Sequence, residues 1–254
     1  MVNPKKNDIY VSFVIPAYNA EIFIERNLSD LYKILSKLGR PFEIICVVDG
    51  ATDDTYKKAL EVKRNLKNVE VFNYKVNKGK GYAVRFGMKK AKGEIIGFVD
   101  AGLDLDYKSI LDFLDLMREG RLDCVIGSKR HPKSIVNYPY IRKVFSWGYQ
   151  FYVKILFGLP INDTQVGMKI FRRQVILKLL PILTIDGFAF DIEVLLLANK
   201  LLKARIVEAP IRVNLDQRDS TIKIMGIKFI KDLVKVFWDT LKIYYRFTLG
   251  RYHF

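Results

Sequence analysis

Cysteine and histidine are scarce, with two of each in 254 residues. Cys46 and Cys124 fall in apolar runs without a CxxC, and His131 and His253 stand far apart in the chain. A disulfide framework, a structural zinc site and a thiol-redox motif are therefore not what organises this chain, and the thiols fit a structural role in a reducing compartment. Acidic residues are also short, 27 against 43 Lys and Arg, for a formal net charge of +16. Such an excess suits a polyanionic partner: nucleic acid, an anionic membrane surface or phosphorylated substrates, among which charge alone does not choose. No uninterrupted apolar run approaches about eighteen residues, so no membrane-spanning helix is expected. The longest candidates are broken by Lys154, by Lys178, or by Lys235 and Asp239. Met1 to Asp8 lacks the apolar core of a signal peptide. GxSxG, HExxH and GxxxxGK[ST] are missing, as is a GxGxxG after the first strand, which leaves serine-hydrolase, zincin, P-loop and Rossmann readings without support.

What is present is a β-α alternation. Half of the residues are apolar, enough for a well-buried core. Strands are expected at 10–16, 42–48, 69–74, 94–99 and 123–127, with helices between them, the second capped by Thr52 or Asp53. Short connections between such elements specify a mostly parallel sheet with helices on both faces. After Gly127 the pattern loosens. A basic loop (Ser128 to Lys133) precedes an aromatic helix over 144–157, and a turn from Asn162 enters a short strand. Helices are expected near 173–180 and from Asp191 to about Lys203. The run 206–213 reads as an edge strand because Pro210 cannot donate to a ladder. From Ile222 to about Phe247 bulky apolar residues alternate with Lys and Arg at helical spacing.

Asp49 ends an apolar strand and precedes Gly50, and Asp100 and Asp104 repeat this arrangement on another strand. In open α/β sheets ligands sit beyond the carboxyl ends of the strands. Two acidic strand ends together with Lys78, Lys80, Arg85, Lys129 and Arg130 suit a diphosphate held through Mg²⁺ or Mn²⁺, which prefer carboxylate oxygens. Asn77 to Gly81 is a Lys/Gly-rich helix entrance that favours anions through its free N–H groups, although a solvated turn would read the same way. Asp191 and Glu193 open an apolar helix; they either face a cleft, to orient an acceptor or take its proton, or only stabilise the helix dipole. The segments 144–157 and 222–247 are packed core helices, or interfacial helices that put aromatics into lipid headgroups while cations meet anionic lipid. Neither resembles a nucleic-acid reader, so no nucleic-acid partner is expected.

These residues resemble the inverting, GT-A-fold glycosyltransferase family 2, and within it the polyprenyl-phosphate branch of dolichyl-phosphate β-glucosyltransferases and dolichol-phosphate mannose synthases. Val14 to Asn19 looks like the family's opening strand and nucleotide-pocket turn, with Pro16, Tyr18 and Asn19. Val48-Asp49-Gly50-Ala51-Thr52-Asp53 is similar to its DDGSxD segment, which implies that Asp49 contacts the base. Asn77 to Gly81 matches its NxGKG loop, implying donor contacts from Lys78, Gly79 and Lys80. Asp100-Ala101-Gly102-Leu103-Asp104 lies on the DxD-type metal site, but Gly102 stands where the second Asp belongs. Either Asp104 reaches the metal instead, or metal binding is weak or lost. Gly127 to Arg130 resembles the GSR segment, implying that Lys129 and Arg130 meet the lipid phosphate. Asn162 to Lys169 looks like the branch's DTQCGFK, and Phe190 to Glu193 its FDVE, with Asp191 positioning the acceptor.

The resemblance implies a nucleotide-sugar donor, UDP-glucose before GDP-mannose, and a dolichyl- or polyprenyl-phosphate acceptor. It also implies a catalytic GT-A unit over 1–221, with a donor half to about 127 and an acceptor half from about 128. Residues 222–254 would be amphipathic helices on an anionic membrane surface, with the protein peripheral on its cytoplasmic side.

Overall fold

The computed structural model describes residues 9–102, 105–137, 140–214 and 227–253, and of residues 140–145, 214 and 227–232 the backbone alone. Six parallel or mixed strands and one reversed strand build the central sheet. Strands β1 (Val11–Ala17), β2 (Phe42–Asp49), β3 (Val69–Tyr74) and β4 (Ile95–Val99) alternate with helices α1 (Ile24–Ser36), α2 (Thr55–Asn65) and α3 (Lys80–Lys90). Helix α4 (Ser109–Glu119) leads to β5 (Cys124–Ser128). A small strand β6 (Ile135–Asn137), the aromatic helix α5 (Tyr140–Phe157), β7 (Met168–Arg172), α6 (Arg173–Leu179) and α7 (Phe190–Lys200) follow. Strands β8 (Ile206–Pro210) and β9 (Arg212–Asn214) precede the long helix α8 (Ile227–Thr248).

The order in the large sheet is β3-β2-β1-β4-β7-β5-β8, and β6 pairs with β9 in a second, two-stranded sheet. All neighbours are parallel except β7, which runs antiparallel to both β4 and β5. Every residue of β2, β4 and β5 is buried. Alternate residues supply the two faces: Phe13 and Ile15 join α1, α2 and α4 in one cluster, while Val14, Val47 and Phe98 join α3, α6 and α7 in the other. Burial on both faces is why these strands read as unbroken apolar runs rather than as an alternation. The sequence-based elements are found within a few residues of their expected places. The expected edge strand splits at Pro210: β8 lies at the sheet's rim, and the residues beyond it turn into β9. Residues 222–226 of the expected C-terminal helix, and the expected domain boundary near 221, lie outside the described residues.

The two thiols are free, fully buried and on opposite faces of the sheet, and burial pushes Cys46 up to about 12. Helix α2 starts later than a cap at Thr52 or Asp53 requires: Asp54 is its N-cap and makes no side-chain cap bond, while Asp53 Oδ1 accepts the Thr55 N–H at 3.0 Å in the turn before it. On the other face α5 and α8 pack together through aromatic rings. Phe237 lies 5.3 Å from Tyr149 and 5.0 Å from Tyr152, and the Tyr149 hydroxyl is 2.7 Å from Thr240 Oγ1.

Candidate active site

The chain runs outward from β1 through β2 to β3 and then returns to place β4 on the other side of β1. At such a reversal the connecting loops diverge and leave a crevice beyond the strand ends. A cleft of about 430 Å³ opens at that point, lined at the β1 end by Pro16, Ala17 and Tyr18 and at the β4 end by Asp100, Ala101 and Gly102. Asp49, Gly79 and Lys80 form its other wall, and Gly187, Phe188, Lys235 and Val236 cover it from α7's entrance and α8.

Asp49 is 3% exposed and holds the glycine loop. Its carboxylate accepts the Lys78 N–H at 2.7 Å, the Gly79 N–H at 2.8 Å and the Asn77 side-chain amide at 3.1 Å. Gly50 has φ 61, and a Cβ there would lie 2.3 Å from the Asn77 nitrogen, so only glycine lets the two loops meet. Asn19 completes the junction by accepting the Thr52 N–H at 2.9 Å. Lys78 points its ammonium at the Tyr82 hydroxyl, 3.1 Å away, and over the Tyr82 ring; neither Asn19 nor Lys78 lines the cleft.

Lys80 opens α3 and joins the two halves of the fold. Its ammonium lies 2.9 Å from Asp100 Oδ1 and 3.0 Å from Oδ2, and 2.8 Å from Asp191 Oδ2. Burial works against its charge, but Asp100 and Asp191 outweigh burial and raise its pKa above the usual lysine value. Asp191 is 1% exposed, and its other oxygen accepts from Lys169 at 2.5 Å. Burial alone would raise the Asp191 pKa; Lys169 and then Lys80 reverse this and hold it below the ordinary aspartate value. Lys169 has no exposed surface and also donates to the Val166 carbonyl. The result is a line of alternating charge that runs inward from the half-exposed Asp100 through Lys80 and Asp191 to the buried Lys169. Lys169 went unassigned as a site residue in the sequence, although a lysine inside the apolar run Met168–Phe171 needs a buried anion to be tolerated.

Several sequence-based expectations are corrected. Arg85 does not face a diphosphate: its guanidinium donates to the Leu183 carbonyl and to Asp186, tying α3 to the loop before α7. Glu193 faces no cleft. It is fully buried and accepts from the Thr184 and Ile185 N–H groups, the Thr184 hydroxyl and the Tyr252 hydroxyl at 2.8 Å. Tyr252→Phe should therefore cost about 1.5–3 kcal/mol of stability, leaving the turnover rate unchanged below the melting range. Thermal denaturation beside an assay would check this, and unchanged stability would mean the contact contributes nothing.

Lys129 and Arg130 do not line the cleft; they gather at the end of β5 around buried Asp163. The Lys129 N–H donates to Asp163 at 2.9 Å and its ammonium lies 3.5 Å from the same carboxylate. Burial lowers the Lys129 pKa. Arg130 donates to the Asn162 and Ser146 carbonyls and sits over the Trp147 ring. Asp104 lies outside the described residues.

The glycosyl transferase family 2 model matches residues 12–180 of this chain. The chain belongs to glycosyl transferase family 2. Membership makes it an inverting glycosyltransferase of GT-A type that draws its sugar from a nucleotide-sugar donor. Among curated family 2 relatives, dolichyl-phosphate beta-glucosyltransferase of Dictyostelium discoideum is 30% identical over 98% of this chain and 77% of its own length. That of Saccharomyces cerevisiae is 33% identical over 89% and 74%. Among solved structures, glucosyl-3-phosphoglycerate synthase from Mycobacterium tuberculosis, in complex with Mn²⁺, uridine diphosphate and phosphoglyceric acid, superposes with a TM-score of 0.59. It is 18% identical and covers 90% of this chain and 78% of its own, a likeness of fold.

Among the described residues no three His, Cys, Asp or Glu side chains converge as a metal site. Asp100 nevertheless suits a cation that arrives with a diphosphate. Its side chain is 38% exposed at the cleft with Lys80 as its charged partner, and Mg²⁺ or Mn²⁺ in such sites takes one or two carboxylates, with phosphate oxygens and waters completing the shell.

Proposed function

We propose that this family 2 enzyme transfers glucose from UDP-glucose to dolichyl or polyprenyl phosphate. The observation that carries the reading is the double face of α8. Lys235 and Val236 close the donor cleft, while Val234, Trp238, Leu241 and Tyr245 of the same helix are turned to solvent. Trp147, Phe151 and Ile155 of α5, each about two-thirds exposed, form a second stripe at four-residue spacing. Apolar stripes flanked by Lys and Arg suit a lipid interface, where a phosphate at the end of a lipid chain would be delivered beside the cleft. Similarity to the dolichyl-phosphate beta-glucosyltransferases supports the same acceptor. On this reading 1–221 is the catalytic unit, and 222–254 holds it, peripherally, to an anionic membrane surface on the cytoplasmic side.

The donor's uridine would lie between Pro16, Tyr18 and the Asp49 loop, with its diphosphate over Gly79, Lys80 and Asp100 to Gly102. Asp100, with Asp104, would hold Mg²⁺ or Mn²⁺, which supplies Lewis-acid neutralisation of the diphosphate. An acceptor phosphate oxygen forms its bond to the anomeric carbon as the bond to the diphosphate breaks, and the electron pair leaves with the nucleotide. One displacement inverts the centre. A phosphate is already ionised near neutral pH, so no strong base is required. Asp191 matches that demand: two ammonium groups suppress its basicity, so it orients Lys80 rather than removing a proton. Lys129 and Arg130, held ready on Asp163, would share their charge with the incoming phosphate.

The test is transfer of labelled sugar from UDP-glucose, and separately GDP-mannose, to polyprenyl phosphate with and without Mn²⁺ or Mg²⁺. Metal-dependent glucose transfer is expected. Transfer from GDP-mannose alone would replace the donor, and transfer only to soluble acceptors would remove the lipid. A second prediction isolates the interface. Trp147→Glu combined with Trp238→Glu should weaken binding to anionic vesicles at least about tenfold, while transfer to a short, water-soluble isoprenyl phosphate persists. Unchanged vesicle binding would remove these stripes from the membrane contact.

A further inference from the structure

Lys80 lies where its charge competes directly with the ion that the proposed function assigns to Asp100. Both Asp100 oxygens are within 3.0 Å of the Lys80 ammonium. The Asp100 side chain is 38% exposed and open to ions from solution, whereas that of Lys80 is 10% exposed. Gly102 contributes no carboxylate at the position two residues on.

The lysine's backbone is held in place while its ammonium can turn. Gly79, with φ 103, passes so close to the Asp186 carbonyl that a Cβ would lie 2.5 Å from it, and this sets where α3 begins. Asp191 grips the ammonium from behind, and Asp191 is itself anchored by Lys169 and cannot follow Lys80 if it swings away.

We propose that Lys80 is a resident counter-ion of the metal position: without nucleotide its ammonium occupies Asp100, so a divalent cation binds there strongly only together with a nucleotide diphosphate. The diphosphate supplies the anion that draws Lys80 off Asp100, and it brings phosphate oxygens to the cation. Metal and nucleotide binding are thereby coupled, and reciprocity requires that each strengthen the other. The idea rests on the reading that Asp100 is a metal ligand.

The experiment measures bound Mn²⁺ from the loss of the free-ion paramagnetic resonance signal, with and without UDP, and involves no turnover. Wild type should bind Mn²⁺ weakly alone and strongly with UDP. Lys80→Met should bind Mn²⁺ without UDP at least about tenfold more tightly than wild type, and Lys80→Met with Asp100→Asn should lose that gain. Asp191 retains Lys169 in these variants, and Lys80→Gln, which keeps a donor for Asp191, repeats the measurement should the methionine variant fold poorly. Equal nucleotide-free affinity in wild type and both Lys80 variants overturns the counter-ion role while leaving the metal reading intact. Wild-type binding that UDP does not strengthen overturns it likewise. No Mn²⁺ bound by any form, even with UDP, overturns the metal reading and this inference together.

Discussion

Gly167→Ala should leave a folded protein with transfer reduced at least about a hundredfold, the scale expected when a reacting group is displaced by about an ångström. A Cβ at 167 would lie 1.8 Å from Asp100 Oδ2 and 2.0 Å from its carboxyl carbon. The backbone cannot retreat easily, because the Gly167 carbonyl accepts the Asp100 N–H at 2.8 Å and β7 is paired on both sides. Gly167 does not need a left-handed φ, so alanine strains nothing else, and the least costly relief is rotation of the Asp100 carboxylate away from Lys80 and the cleft. Loss of activity with near-normal melting is the expected pair of results. Wild-type rates would show that the position of Asp100 does not matter to the reaction.

Lys169→Met should act on stability as well as activity. It removes the fully buried partner of a carboxylate that is itself 1% exposed. Breaking a buried ion pair costs about 3–5 kcal/mol; Lys80 still faces Asp191 at 2.8 Å, so the lower end applies, which for a chain of this size lowers the melting temperature by roughly 6–12 °C. The companion Lys169→Met/Asp191→Asn, which removes both members of that pair and leaves Lys80 to Asp100, should regain much of that stability and still transfer sugar poorly. Two equally destabilised variants would mean that volume, not charge, sets the cost. The pH dependence follows from the direction of the Asp191 shift. A carboxylate whose folded pKa lies below its unfolded value of about 3.9 contributes stability above that value and loses it as pH falls through the folded one. Wild type should therefore lose this contribution in acid, and Lys169→Met, which has less of it to lose, should show a shallower acid limb in a pH series of melts.

Much of the site was legible because its parts are local. Asp49, Gly79, Lys80 and Asp100 each sit at a strand end or helix entrance, and an apolar run broken by a glycine turn marks such a place in any open α/β sheet. Arg85 was misplaced for the opposite reason: position on a helix near a phosphate-type loop says nothing about which way a long side chain turns, and Asp186 lies 101 residues away. Glu193 looked the same as Asp191 in sequence, two residues apart in one helical turn. They separate only in space, because one meets two lysines and the other meets Thr184 and Tyr252.

The sequence by itself determined the α/β class, the parallel strands and the glycine turns, since period, run length and turn chemistry are properties of neighbouring residues. Only the tertiary structure decided that β7 enters antiparallel between β4 and β5, which sets Lys169 beside Phe98 in register and Gly167 against Asp100. It also decided that α8, last in the chain, closes a cleft begun by β1. Pairing between distant segments depends on which buried charges and faces can satisfy one another, and that is a property of the whole packed chain rather than of any stretch of it.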